Sequence, residues 1–218
     1  MGSRIGPYNN LLRQISLYVD EDTKHGKFWF NQMHNDGYSF IHINKCGGTS
    51  IEALLGIPKV HDTAEQRIER IGLNQWNKRF TFSIVRNPYS KVVSHYNYRV
   101  KTNQTNMNTE PMDINEWIKR SYGDKEPQYY DNPLMFAPCY EWLSINGDLV
   151  VGKIIKLEEL NAHWEQLCLD LGVAYTPPLV KNKTNMGSAS GALEILNNES
   201  IKIIDNHFQK DFEHFGYK

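Results

Sequence analysis

The 218-residue sequence holds only three cysteines, Cys46, Cys139 and Cys168, and no CxxC pair. An odd count without that spacing argues against a disulfide framework and against a thiolate zinc site, and it fits a reducing cytoplasm. Neither sign of charge is in excess: 24 Lys and Arg face 25 Asp and Glu, for a formal net charge of −1. That excludes the cationic field on which nucleic-acid binders and polybasic proteins depend. Long apolar runs are missing too, the longest being a few residues against the ~20 that a membrane-spanning helix needs. The N-terminus carries no basic patch leading into an apolar stretch, as a secretory signal would. The expectation is therefore a cytoplasmic protein with no membrane segment and no nucleic-acid partner. No solenoid-period repeat, heptad or low-complexity tract divides the chain.

What remains is a globular composition. Hydrophobic residues make up 40% and charged residues 22%, with 12% aromatic, enough to bury a core. At roughly 150 residues per domain the length suits one generous domain, 1–218, with 101–140 as a substrate-side excursion. Residues 38–43 form a short β-rich run ending in Asn44-Lys45-Cys46-Gly47-Gly48, after which 49–55 reads as a helix. Thr63 and Gln66 have capping-box spacing and start a second helix that stops at Gly72. The run 80–85 (FTFSIV) is a second strand, and the 36 intervening residues suit a parallel crossover. Pro88 ends it, and 89–100 reads as a helix with Tyr89, Val92, Val93 and Tyr96 on one face. Residues 101–112 are polar and predict an exposed loop, a candidate substrate lid, before a short helix over 113–120. A third strand is expected over 149–155, then a helix through Leu157, Leu160, Trp164, Leu167 and Leu171 to Gly172, and a last amphipathic helix over 200–215. This pattern predicts an α/β fold, P-loop-like, with a central parallel β-sheet flanked by helices.

Two segments carry chemistry. In FIHINKCGGTSIE, residues 40–52, glycines between a strand end and a helix start let backbone N–H groups converge on an anion at the positive end of the helix. Lys45 precedes Gly47 and Gly48 here, whereas the triphosphatase loop GxxxxGK[ST] has its lysine after the glycines. The same pair also reads as a plain tight turn. In SIVRNPYSKVVSHY, residues 83–96, Arg86 lies at a strand end and Ser94 follows eight residues later on the helix. A guanidinium fork and a hydroxyl suit a phosphate monoester, although a surface ion pair accounts for Arg86 alone. Both turns at successive strand ends of one sheet would lie along the crevice where α/β folds take ligands. Cys46 contributes a small side chain and a backbone N–H rather than a nucleophile. His42 on the first strand reads as a structural histidine, His95 stands beside Ser94, and Trp29, Trp117 and Trp142 read as core before groove.

These segments resemble the sulfotransferases that use 3′-phosphoadenosine 5′-phosphosulfate (PAPS), most closely the family of Golgi carbohydrate sulfotransferases and their compact bacterial relatives. The similarity extends through HDTA at 61–64, LVVGKIIKLEELNAHWEQLCLDLGV, KNKTN at 181–185 and the terminal FQKDFEHFGY. It implies that Lys45, Cys46, Gly47, Gly48, Thr49 and Ser50 hold the 5′-phosphosulfate, that Arg86 and Ser94 hold the 3′-phosphate, and that Lys183 and Thr184 close over the nucleotide. It further implies PAPS as donor, 3′-phosphoadenosine 5′-phosphate (PAP) as product, no required metal, and a saccharide or small-molecule acceptor with a hydroxyl or amine. Lys45 would stabilise the leaving phosphate. His61 would be the general base; its other reading is a helper in capping the helix begun by Thr63. The alternatives are a P-loop-type kinase and a non-catalytic nucleotide-binding protein.

Overall fold

The computed structural model describes residues 23–35, 37–177 and 188–218. Helix α1 (Lys24–His34) is capped at its start by the Thr23 hydroxyl, which accepts from the Gly26 N–H at 2.9 Å. At its other end the buried Arg79 guanidinium donates to the carbonyls of Asn31 and Tyr38, so one side chain fastens α1 to the first strand. Strand β1 (Tyr38–Ile41) runs through a glycine turn into α2 (Gly48–Leu55), which closes on Gly56 in the left-handed region. α3 (Ala64–Ile71) and the short α4 (Leu73–Asn77) lead back to β2 (Phe80–Val85). Asn87 and Pro88 then start α5 (Pro88–Lys101): the asparagine carboxamide accepts from the Tyr89 and Ser90 N–H groups, and the proline fills the first helical position, where no N–H is needed.

Beyond the 101–112 loop come α6 (Ile114–Ile118), α7 (Pro133–Phe136) and α8 (Cys139–Leu143). A small antiparallel ribbon, β3 (Ser144–Ile145) with β4 (Asp148–Leu149), precedes β5 (Lys153–Lys156). α9 (Leu160–Leu171) ends on left-handed Gly172; α10 (Ala189–Leu193), α11 (Asn198–His207) and α12 (Gln209–Phe215) complete the described chain.

β1, β2 and β5 form a parallel sheet in the order β1-β2-β5, as the pattern predicts. Side chains alternate across it. Phe40, Phe82, Ile84 and Ile155 pack on one side against Leu160, Trp164 and Leu167 of α9. Ile41, Ile43 and Val85 pack on the other against Ala64, Trp76 and Trp142. Helices thus cover both faces, the arrangement that all-parallel sheets require. A third apolar cluster joins α5 to Trp117, Tyr122, Phe136 and Phe208.

Three expectations need correction. The strand expected over 149–155 is split, because Leu149 pairs back to Ser144 in the ribbon and only Lys153–Lys156 joins the main sheet. The helix expected over 200–215 is two helices, broken where Phe208 leaves helical geometry (φ −105°, ψ 20°) to bury its ring among Trp117 and Tyr122. The helix of 113–120 turns into a wider π turn at Lys119–Gly123. The 101–112 loop is polar as expected, yet Met107 at its middle is 1% exposed and pinned in the α5 cluster.

Candidate active site

Parallel pairing brings the ends of β1 and β2 side by side. Ile41 is opposite Ser83, and the Ser83 hydroxyl donates to the Ile41 carbonyl at 2.8 Å. Each strand then leaves the sheet over the same edge, one into the Lys45–Ser50 loop and the other into Arg86.

The loop turns through two left-handed residues, Lys45 (φ 64°) and Gly47 (φ 80°). A side chain at 47 is disfavoured twice, by that φ and by Leu157, whose Cδ1 would lie 2.6 Å from a Cβ there and would have to shift. Gly47, at the cap of α2, has no side chain to bond the first turn; the Ser50 N–H goes to the Gly47 carbonyl at 3.2 Å, and the helix dipole favours an anion at this end. At Gly48 a Cβ would overlap the imidazole of His42. That ring is held by Glu52, whose carboxylate lies 2.6 Å from Nδ1. Burial, together with His61, Lys59 and Lys45, pulls the His42 pKa down to about 3, so the ring is neutral and donates Nδ1–H to the carboxylate.

Arg86 Nη1 donates to the Lys45 carbonyl at 3.1 Å and Nε to the Ser90 hydroxyl at 3.0 Å, which brings the two turns into one site. Ser94 is half-buried one helical turn beyond Ser90, and Tyr98 one turn beyond that, so the three share a face of α5. The Lys45 ammonium sits 4.1 Å over the Tyr98 ring. Burial first, then Arg86 and Lys59, lower its pKa to about 8. β5 ends at the same edge: the Glu158 carboxylate accepts from the Asn87 N–H at 2.9 Å and fixes the turn after Arg86.

His61 lies over the loop's start. Its Nδ1 is 2.9 Å from the His42 carbonyl and its ring centroid 4.4 Å from that of His42. A carbonyl only accepts, so Nδ1 carries the proton and Nε2 a lone pair. Burial lowers the His61 pKa, against that hydrogen bond, and keeps the ring neutral near pH 7. The capping reading does not apply to His61: Thr63 and Gln66 cap α3 reciprocally, at 2.9 and 3.2 Å.

Lys45, Cys46, Gly47, Gly48, Thr49, Ser50, His61, Arg86 and Ser94 therefore converge on one edge of the sheet. Lys183 and Thr184 lie outside the described residues. His95 bonds the Tyr122 hydroxyl in the α5 cluster and is structural. Trp117 and Trp142 are core residues, the latter edge-on to His61 at 6.2 Å. Glu52, Tyr98 and Glu158 belong to the site without having been singled out in the sequence. Glu52 had a signal, a carboxylate on the same buried side of α2 as Ile51. Tyr98 had one as well, lying at four-residue spacing from Ser90 and Ser94. Glu158 had none, since its contact with Asn87 spans 71 residues.

Neither a curated protein nor a solved structure matches the chain. Comparison with protein families gives a match to the sulfotransferase family over residues 28–218, which takes in every strand among the described residues and the turns that meet at this edge. By that match the chain belongs to the sulfotransferase family.

Proposed function

We propose that the protein transfers a sulfuryl group from PAPS to a hydroxyl, or an amine, of a saccharide or small natural product. The observation that carries this reading is the hydrogen bond from Arg86 to the Lys45 carbonyl, because it joins the two turns at one sheet edge, which supports a ligand with two anionic groups. When bound, PAPS supplies an activated sulfuryl group with a phosphate leaving group. The residues fit such a ligand: a glycine turn at a helix start, a half-buried ammonium with no carboxylate paired to it among the described residues, and a guanidinium beside a row of hydroxyls.

In this reading the amides of residues 47–49 and the hydroxyls of Thr49 and Ser50 hold the 5′-phosphate, while the Cys46 and Ser50 N–H groups donate to the Ile43 and Gly47 carbonyls. Arg86 and Ser94 hold the 3′-phosphate. Lys45 neutralises charge on the departing oxygen, and its perch on Tyr98 keeps the ammonium in place. His61 accepts the acceptor's proton at Nε2, and the His42 carbonyl holds the tautomer that this requires. Lys183 and Thr184 would add contacts to the nucleotide.

Radiolabelled PAPS incubated with a panel of saccharide and phenolic acceptors tests the reading, with PAP thermal shift alongside. Transfer unaffected by EDTA is expected; magnesium-dependent ATP turnover would support the kinase alternative instead. His61→Ala should lower turnover at least a hundredfold and leave PAP affinity within about threefold, whereas Arg86→Ala should weaken PAP. PAP binding without transfer to any acceptor, indifferent to His61, would identify a nucleotide-binding protein and not an enzyme.

A further inference from the structure

The sulfurs of Cys46 and Cys139 lie 3.8 Å apart, although 93 residues separate them in the chain. Both are free thiols, and both side chains are buried. Cys46 stands between the left-handed Lys45 and Gly47 in the anion-binding loop, and Cys139 is the first residue of α8. The Lys91 ammonium, buried on α5, bonds the Ala137 carbonyl at 2.7 Å and also Cys139. Asp211 accepts from the N–H groups of Cys139 and Tyr140, each at 2.8 Å, and anchors the start of α8. Burial opposes ionisation of both thiols. At Cys46 the Cys139 thiol, Lys91 and Arg86 outweigh it and hold the pKa below the ordinary thiol range, while Cys139 is pushed up. The proposed sulfuryl transfer uses neither sulfur.

We infer that Cys46 and Cys139 are a site of reversible oxidation, a dithiol that a hydroperoxide converts into a disulfide tying the anion-binding loop to α8. The Cys46 thiolate attacks the outer peroxide oxygen. The O–O bond breaks, the alkoxide or hydroxide leaves and takes up a proton, and the sulfur becomes a sulfenic acid, oxidised by two electrons. Cys139 then attacks that sulfur, the S–O bond breaks, and hydroxide leaves as water with the proton that Cys139 gives up. Two thiols and one hydroperoxide become a disulfide, an alcohol or water, and one water; a small dithiol reverses the change by exchange.

A disulfide needs the sulfurs at about 2.05 Å, so they must close by about 1.8 Å from their present separation. Asp211 anchors Cys139, so the loop supplies the travel, and Lys45 and Gly47 move with Cys46. Oxidation therefore distorts the phosphate cradle, and by reciprocity a nucleotide that prefers the reduced loop disfavours the disulfide. The consequence for nucleotide rests on the function proposed above; the dithiol itself does not.

The test treats the whole chain with hydrogen peroxide, followed by intact mass, non-reducing peptide mapping and amide exchange. Expected are a loss of two mass units, a Cys46–Cys139 peptide reversed by dithiothreitol, Cys168 unmodified, and slower exchange over residues 44–50. PAP should bind the oxidised form at least tenfold more weakly, and saturating PAP should retard the oxidation. Cys139→Ser should lose the mass change while its untreated form binds PAP within about twofold of wild type. Absence of the Cys46–Cys139 peptide, or a disulfide that leaves loop exchange and PAP affinity unchanged, overturns the inference. Should the disulfide form and slow loop exchange while the reduced protein binds no PAP, the nucleotide assignment falls and the dithiol site stands.

Discussion

Replacing Gly48 by alanine pits two effects of opposite sign against each other. Alanine is the better helix former, by roughly 0.5–1 kcal/mol in a helix interior and less at a first position. Its Cβ, however, would overlap the His42 imidazole. The ring has no easy retreat: Glu52 holds it by a 2.6 Å hydrogen bond, and it stacks on Phe40 at 5.7 Å. Displacing it forfeits a charged hydrogen bond of about 1.5–3 kcal/mol and a ring contact of about 0.5–1.5 kcal/mol. The net loss is about 2–3 kcal/mol, or roughly 4–12 °C in Tm for a chain of this length. Thermal and denaturant unfolding followed by circular dichroism read it. The cycle with His42→Ala is decisive, since removing the ring first should leave Gly48→Ala neutral or mildly stabilising. A single Gly48→Ala variant as stable as wild type, or equal costs in both backgrounds, would refute the collision argument.

Acid should weaken the fold well before most carboxylates titrate. His42 and His207 have native pKa values of about 3 and about 4, both chiefly through burial. The unfolded chain takes up these protons near pH 6.5, so the stability they confer is complete above that pH and lost as pH falls toward the native values. Between pH 7.5 and 5.5 denaturant melts should show a loss of about 2–3 kcal/mol, reduced by about half in His207→Gln; a flat profile contradicts the assignment. For Lys45, whose pKa is about 8, PAP affinity should decline as pH passes from 7 to 9.5, and Lys45→Met should bind weakly with no such decline. Met107→Ala should cost about 2–4 kcal/mol, because its side chain anchors the polar loop in the core; a loss under 1 kcal/mol would mean that the loop is not held there.

Local signals carried the part of this architecture that repeats: strand, glycine or proline turn, helix. The Thr63–Gln66 capping box and the stop at Gly72 are each decided within a few residues, and each stands as read; Pro88, read as the end of the strand, is the first residue of α5. Failures came where distant contacts overrule local preference. Phe208 breaks an amphipathic helix to reach a cluster assembled from α5, α6 and α7, and Leu149 pairs with Ser144 in place of extending β5. The turn at Lys45–Ser50 was legible because its glycines and lysine are adjacent in sequence. The His42–Glu52 pair was less so, because a carboxylate ten residues away shows its partner only once the helix turns it inward. α1 was missed, since what anchors it is the guanidinium of Arg79, more than 40 residues downstream.

Asp211 holds the start of α8, α8 carries Cys139 beneath the loop, and Tyr217 reaches the carboxylate of Glu158 that steadies the turn after Arg86. A turn encoded at residues 45–50 is thus propped by Asp211 and Tyr217, far downstream in the chain. During synthesis the ribosome releases the lysine and glycines long before their buttress exists, so the half-made chain carries the motif without the support that holds its shape. Competence for the anion should arrive late and all at once, as the final helix docks.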